Sequence, residues 1–134
     1  MSKLNNKLIL LIVFLGLILD RATKFWAQQN LANYTQNSRL FFFEIKNTDL
    51  IVVLLFFILF LIYLLSRALK SKNYLLILGL SLIIGGGMSN LVDRILLGFV
   101  IDWIDILPFS SFNIADLMIG GGIILALVSE LKTT

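Results

Sequence analysis

The chain has 134 residues, 59% of them hydrophobic and 14% charged, with a net charge of +3. With a mean hydropathy of +0.97, that balance predicts one integral-membrane domain over residues 1–134 rather than a soluble globule. The absence of cysteine and histidine excludes disulfides, thiol nucleophiles, thiolate or imidazole metal sites and histidine-based triads, so no cofactor or metal is expected.

The first apolar run, residues 8–19, follows Lys3 and Lys7 and so resembles the start of a secretory leader. No small-x-small cleavage site follows it, and continuing the helix through Trp26 reaches the length needed to cross ~30 Å of hydrocarbon. Residues 7–27 are therefore read as span one. The next segment is polar, then aromatic over residues 39–46, a composition suited to a strand at the membrane surface. Span two is read as residues 50–65, followed by a short basic loop over 66–72. Span three runs from residue 74 to 88, with its helix continuing to 96, and span four over 114–131.

The expected fold class is thus an all-α integral membrane protein with four transmembrane helices and a small outer β element. Lys3, Lys7, Arg67, Lys70, Lys72 and Lys132 fall at one face, which the positive-inside rule makes cytoplasmic, with both termini inside. Those basic residues sit near span ends, so no nucleic-acid partner is expected; membrane lipids are. Segments 28–49 and 95–113 then lie outside. Seven of the eight acidic residues fall at or beyond the outer interface, leaving Glu130 alone inside. An ionisable group at membrane depth is costly and marks function or a buried pair.

Asp102 and Asp116 flank a loop that returns to the same interface. Two carboxylates brought together share a proton, so that one activates water while the other donates, which permits peptide hydrolysis without metal, thiol or imidazole. Asn113 and Asp116 also fit a helix N-cap and its third position, and a helix N-terminus favours ionised Asp116, leaving Asp102 to carry the proton. Asn90, Asp93 and Arg94 share one helical face, suited to gripping a peptide or to an Asp93–Arg94 ion-pair network. Asp20 and Lys24 form an i,i+4 pair. Gly85-Gly86-Gly87 and Gly120-Gly121-Gly122 offer small faces for close helix packing. Asp105 reads as solvated.

Four ordered segments carry a resemblance: Asp20-Arg21-Ala22-Thr23-Lys24, Asn90-Leu91-Val92-Asp93-Arg94, the stretch Gly98 to Ile104 around Asp102, and Phe112-Asn113-Ile114-Ala115-Asp116. In order and spacing they resemble lipoprotein signal peptidase (signal peptidase II), a bacterial membrane aspartyl protease and the target of globomycin. The resemblance implies a small outer sheet and cleavage of diacylglyceryl-modified prolipoproteins just before the lipidated cysteine. It implies catalytic roles for Asp102 and Asp116, substrate contacts for Asn90, Arg94 and Asn113, and support from Asp20 and Lys24, with Asp93 beside them. Localisation would be the bacterial inner membrane with the site at the periplasmic face, and the protein is expected to be a monomer.

Two features depart from the family pattern. Ser89 stands where glycine usually precedes the asparagine, and Asn47-Thr48-Asp49-Leu50 enters span two without the family's Gly-Ala-Ala-Phe. They motivate an alternative, a homologue that binds lipidated peptides without cutting them. An ion or proton carrier predicts carboxylates spread through the bilayer depth rather than gathered at one edge. A hard-cation site predicts sensitivity to chelators.

Overall fold

Helix α1, Asn6–Asn30, begins where the Asn5 side chain accepts from the Leu8 N–H at 2.9 Å, a cap satisfying one orphan donor of the first turn. The computed structural model describes residues 5–38, 46–106 and 110–132. Strand β1, Thr35–Asn37, follows, then helices α2 (Asn47–Ser71) and α3 (Tyr74–Leu97), strands β2 (Val100–Asp102), β3 (Ile104–Ile106) and β4 (Ser110–Phe112), and helix α4 (Ile114–Leu131).

α2, α3 and α4 are long and apolar enough to cross a membrane. α1, at 25 residues, is as long as α2, the longest of them, but carries Asp20, Arg21 and Lys24 in its second half. The outward faces are densely apolar: Leu10, Phe56 and Phe60 are 68%, 71% and 54% exposed, an arrangement stable only against lipid.

The expected basic loop after span two is instead the last turns of α2. Residues 66–71 contain neither glycine nor proline, Ala68 packs inward, and the helix runs on to Ser71. Lys72, left-handed at φ 55°, then turns the chain, and the Asn73 side chain caps α3 by accepting from the Leu76 N–H. At this end Ile9, Leu61, Ala68, Ile77, Leu80 and Ile83 form one apolar cluster, so the start of α1, the end of α2 and the start of α3 meet.

α3 and α4 touch backbone to backbone. A Cβ on Gly79 would lie 2.7 Å from the Gly122 carbonyl oxygen, and one on Gly86 would collide with that of Ala115. Gly120 and Gly121 have nothing within 4 Å, so only Gly122 of that triplet serves packing, and Gly79, outside both triplets, completes the contact. Gly98, at φ 84°, ends α3 in the left-handed conformation glycine adopts without strain, and its N–H returns to the Arg94 carbonyl. The Asn47 amide donates to the same carbonyl at 3.1 Å, tying the start of α2 to the end of α3.

Among the described residues the β element consists of two antiparallel pairs. β1 pairs with β2, Thr35 opposite Asp102 and Asn37 opposite Val100, while β3 pairs with β4. The aromatic segment expected as a strand falls mainly on 39–45, outside the described residues.

Candidate active site

Of the charged residues singled out at these helix ends, Asp20, Lys24, Asp93, Arg94 and Asp102 are each 5% exposed or less, Asp116 is half-buried and Asp105 is exposed. The arrangement starts on α1. Lys24 Nζ lies 2.8 Å from Asp20 Oδ2 and 2.8 Å from Asp93 Oδ2, and donates to Asn90 Oδ1 at 2.9 Å, so its three donors meet three acceptors. Arg21 closes the other side, its Nη1 at 2.7 Å from Asp93 Oδ1 and its Nη2 donating to the Ser89 hydroxyl at 2.9 Å and the Ser89 carbonyl at 3.0 Å. The Ser89 hydroxyl donates to Asp20 Oδ2 at 2.6 Å. Two anions and two cations thus neutralise one another, with Asp20, Lys24 and Asp93 buried and the more exposed Arg21 closing the cluster from the surface.

Three hydrogen bonds carry this cluster to α4 and its cap. Asp20 Oδ1 accepts the Ala115 N–H at 2.9 Å, fixing the first turn of α4 against α1. Asn90 passes the order on, its Nδ2 donating to Asp116 Oδ1 at 2.8 Å while its Oδ1 also accepts from Asn113 Nδ2 at 3.2 Å.

Asn113 joins the two aspartates. Its side chain accepts the Asp116 N–H at 2.9 Å and its own N–H donates to Asp116 Oδ2 at 3.1 Å, the reciprocal capping box expected from the sequence. Its Nδ2 donates to Asp102 Oδ1 at 2.7 Å. Asp102 reaches this point from the end of β2, and the Asn37 amide on β1 donates to its other oxygen at 2.9 Å. Burial pushes the Asp102 carboxyl up to about 6; the Asn37 hydrogen bond opposes this, the Asp116 charge adds to it, and Asn113 and the Lys24 charge pull it back.

Asp20, Lys24, Asn90, Asp93, Asp102, Asn113 and Asp116 therefore form one continuous polar core. Arg94 faces the same region, within the field of Asp102, Asp116 and Asp93, and its Nη1 lies 3.4 Å from the Asn37 carbonyl oxygen. The expected Asp93–Arg94 network is drawn differently: the two Asp93 oxygens pair with Arg21 and Lys24, because α1 packs against that face of α3. Asn113 is fully buried, its amide donating to Asp102, Asn90 and the Ile101 carbonyl while its side-chain oxygen accepts from the Asp116 N–H. A cavity of about 370 Å³ opens on the α1–α3 side, walled by Arg21, Lys24, Asp93 and Ile101 rather than by either of the two linked aspartates.

Three contributors were not foreseen: Arg21, the Ser89 hydroxyl and Asn37. Arg21 carries the same signal that picked out Asp20, a charge within an apolar helix. Asn37 has no such signal, since its place follows from strand register alone.

Apolar helices of membrane-crossing length around a buried aspartate–asparagine centre define a multi-pass membrane protein with a carboxylate site. The sequence model for signal peptidase (SPase) II matches residues 12–132. The lipoprotein signal peptidase of Bartonella tribocorum is 36% identical, covering 92% of this chain and 89% of its own length, and that of Clostridium tetani is 32% identical, covering 92% of each. The chain belongs to the signal peptidase II family. A solved bacterial membrane enzyme shares the fold with a TM-score of 0.82 at 24% identity, over 97% of this chain and 91% of that one.

Proposed function

We propose that this protein is a membrane aspartyl endopeptidase that removes signal peptides from diacylglyceryl-modified prolipoproteins just before the lipidated cysteine. The observation that carries the reading is Asn113 holding Asp116 through the helix cap and Asp102 through its amide, which links two remote carboxylates into one unit. Asp116, at a helix N-terminus and accepting from Asn90 and Asn113, is the ionised base; Asp102 holds the proton. Water attacks the scissile carbonyl as Asp116 takes its proton and Asp102 protonates the carbonyl oxygen. Collapse of the tetrahedral species returns the proton to Asp102 as the departing nitrogen takes the one held by Asp116.

Asn90 and Arg94 contact the peptide, Asn113 positions the aspartates, and Asp20, Lys24 and Asp93 support them. α1 is the first of four spans. Its basic start, the Arg67–Lys70–Lys72 turn and Lys132 lie in the cytoplasm, and the carboxylates at the periplasmic face of the inner membrane. There a monomer meets substrates already held by lipid and helix, so positioning supplies much of the rate. All four boxes keep their polar residues, which supports cleavage over binding alone.

The test is processing of a lipid-modified precursor in reconstituted membranes by wild type, Asp102→Asn and Asp116→Asn. Loss of acid–base capacity should slow cleavage by roughly 100-fold or more. Wild-type rates in either variant end the proposal.

A further inference from the structure

The carboxylate of Asp102 is gripped from two separate elements. Asn113, at the start of α4, donates to Oδ1 at 2.7 Å; Asn37, on β1, donates to Oδ2 at 2.9 Å. The β1–β2 register explains how so short a strand achieves this. Asn37 pairs with Val100, and Asp102 lies two residues further along β2, so the two side chains share one face of the ladder as diagonal neighbours. Shifting the register by one residue would turn Asn37 to the opposite face. Arg94 Nη1, 3.4 Å from the Asn37 carbonyl oxygen, adds a tether from α3.

We propose, resting on the aspartyl endopeptidase reading above, that Asn37 is a positioning residue for cleavage: its amide sets the plane of the Asp102 carboxylate relative to Asp116. A carboxylate held by one donor can pivot about its side-chain bond, whereas donors on both oxygens remove that freedom. Asn37 acts through Asp102, so its loss should lower kcat and leave KM unchanged. Losing one such hydrogen bond corresponds to a fall of about tenfold.

The same contact predicts a change that a merely structural residue would not produce. A donor to a carboxylate favours its ionised form, and the Asn37 amide opposes the upward push of burial on Asp102. The other groups acting on Asp102 stay in place when Asn37 changes: Asp116 and Asn113 from α4, Lys24 from α1 and Arg94 from α3. Removing the amide raises the pH at which Asp102 loses its proton. With Asp102 as the proton-bearing partner, the limb on which activity falls with rising pH moves upward by about one unit.

The experiment compares Asn37→Leu, Asn37→Ser and Gln36→Leu with wild type. Gln36 is exposed, lies opposite Ile101 and points to the other side of β1, so its replacement should leave both rate and profile unchanged. Asn37→Ser, which adds no apolar bulk, keeps the test open if the leucine protein does not fold. Two quantities are read in detergent micelles: the pH dependence of kcat and KM on a lipid-modified precursor, and the titration of the Asp102 carboxyl by carbon NMR with labelled aspartate. An upward move in both for the Asn37 variants, with KM preserved, supports the inference. A wild-type profile and titration in those variants overturns it, even with Asp102→Asn inactive and the endopeptidase reading intact. Full activity in Asp102→Asn would remove that reading and this inference together, and the NMR titration, which needs no turnover, separates the two failures.

Discussion

Burying the Asp102 carboxyl has a stability cost that can be measured without following any reaction. Its proton is held up to about 6 in the folded protein against an ordinary 3.8. Between those values the native state keeps a proton that the unfolded chain has released, so stability falls as pH rises through this window. The contribution is fully present below 3.8 and gone once pH exceeds about 6. At about 1.36 kcal/mol for each pH unit of separation, the loss is about 3 kcal/mol. Asp102→Asn cannot titrate there. The assay is reversible unfolding of both proteins in mixed detergent micelles at a series of pH values. The stability of Asp102→Asn minus that of wild type should rise by about 3 kcal/mol from below pH 4 to above pH 7. Taking the difference cancels every other titrating group except the partner Asp116, with which Asp102 titrates as a pair. Parallel curves, with a constant difference, would refute the claim that burial holds this proton.

Lys24→Met should destabilise the protein by about 3–5 kcal/mol, because two buried carboxylates lose the cation between them; detergent unfolding measures it, and a change under about 1 kcal/mol contradicts the neutral-cluster account. Gly86→Val should cost about 1–3 kcal/mol and depress processing, since the new side chain meets the Ala115 carbonyl one residue before Asp116. Gly120→Ala, with open space around it, should be tolerated in the same two assays. Cleavage should persist in excess EDTA, the chemistry assigned here being that of carboxylates alone; abolition restored by Mg²⁺ would favour a hard-cation site.

What the sequence disclosed follows the range of the forces involved. α4 starts where Asn113 and Asp116 announce a cap, and α3 runs from Tyr74 to Leu97 because its apolar stretch and Gly98 are local signals. The carboxylates were legible for the opposite reason: charge beside hydrocarbon is costly enough to stand out in a single sequence. The true end of α2 was obscured because Arg67 and Lys70 look like a loop at a membrane face, although nothing there breaks a helix. β1 was invisible. Thr35, Gln36 and Asn37 have no strand-like alternation, and their extended form depends on a partner some 65 residues away, as in the Asn37–Asp102 contact. The partners of Asp93 were misassigned for a related reason. Its neighbour Arg94 is adjacent in the chain, but the packing of α1 on α3 decides which cations its oxygens meet.

The cap on α4 joins two events that could have been separate. Because one asparagine both starts the helix and grips the pair of acids, unwinding the opening turn of α4 would also release the contacts that hold the two carboxylates in register.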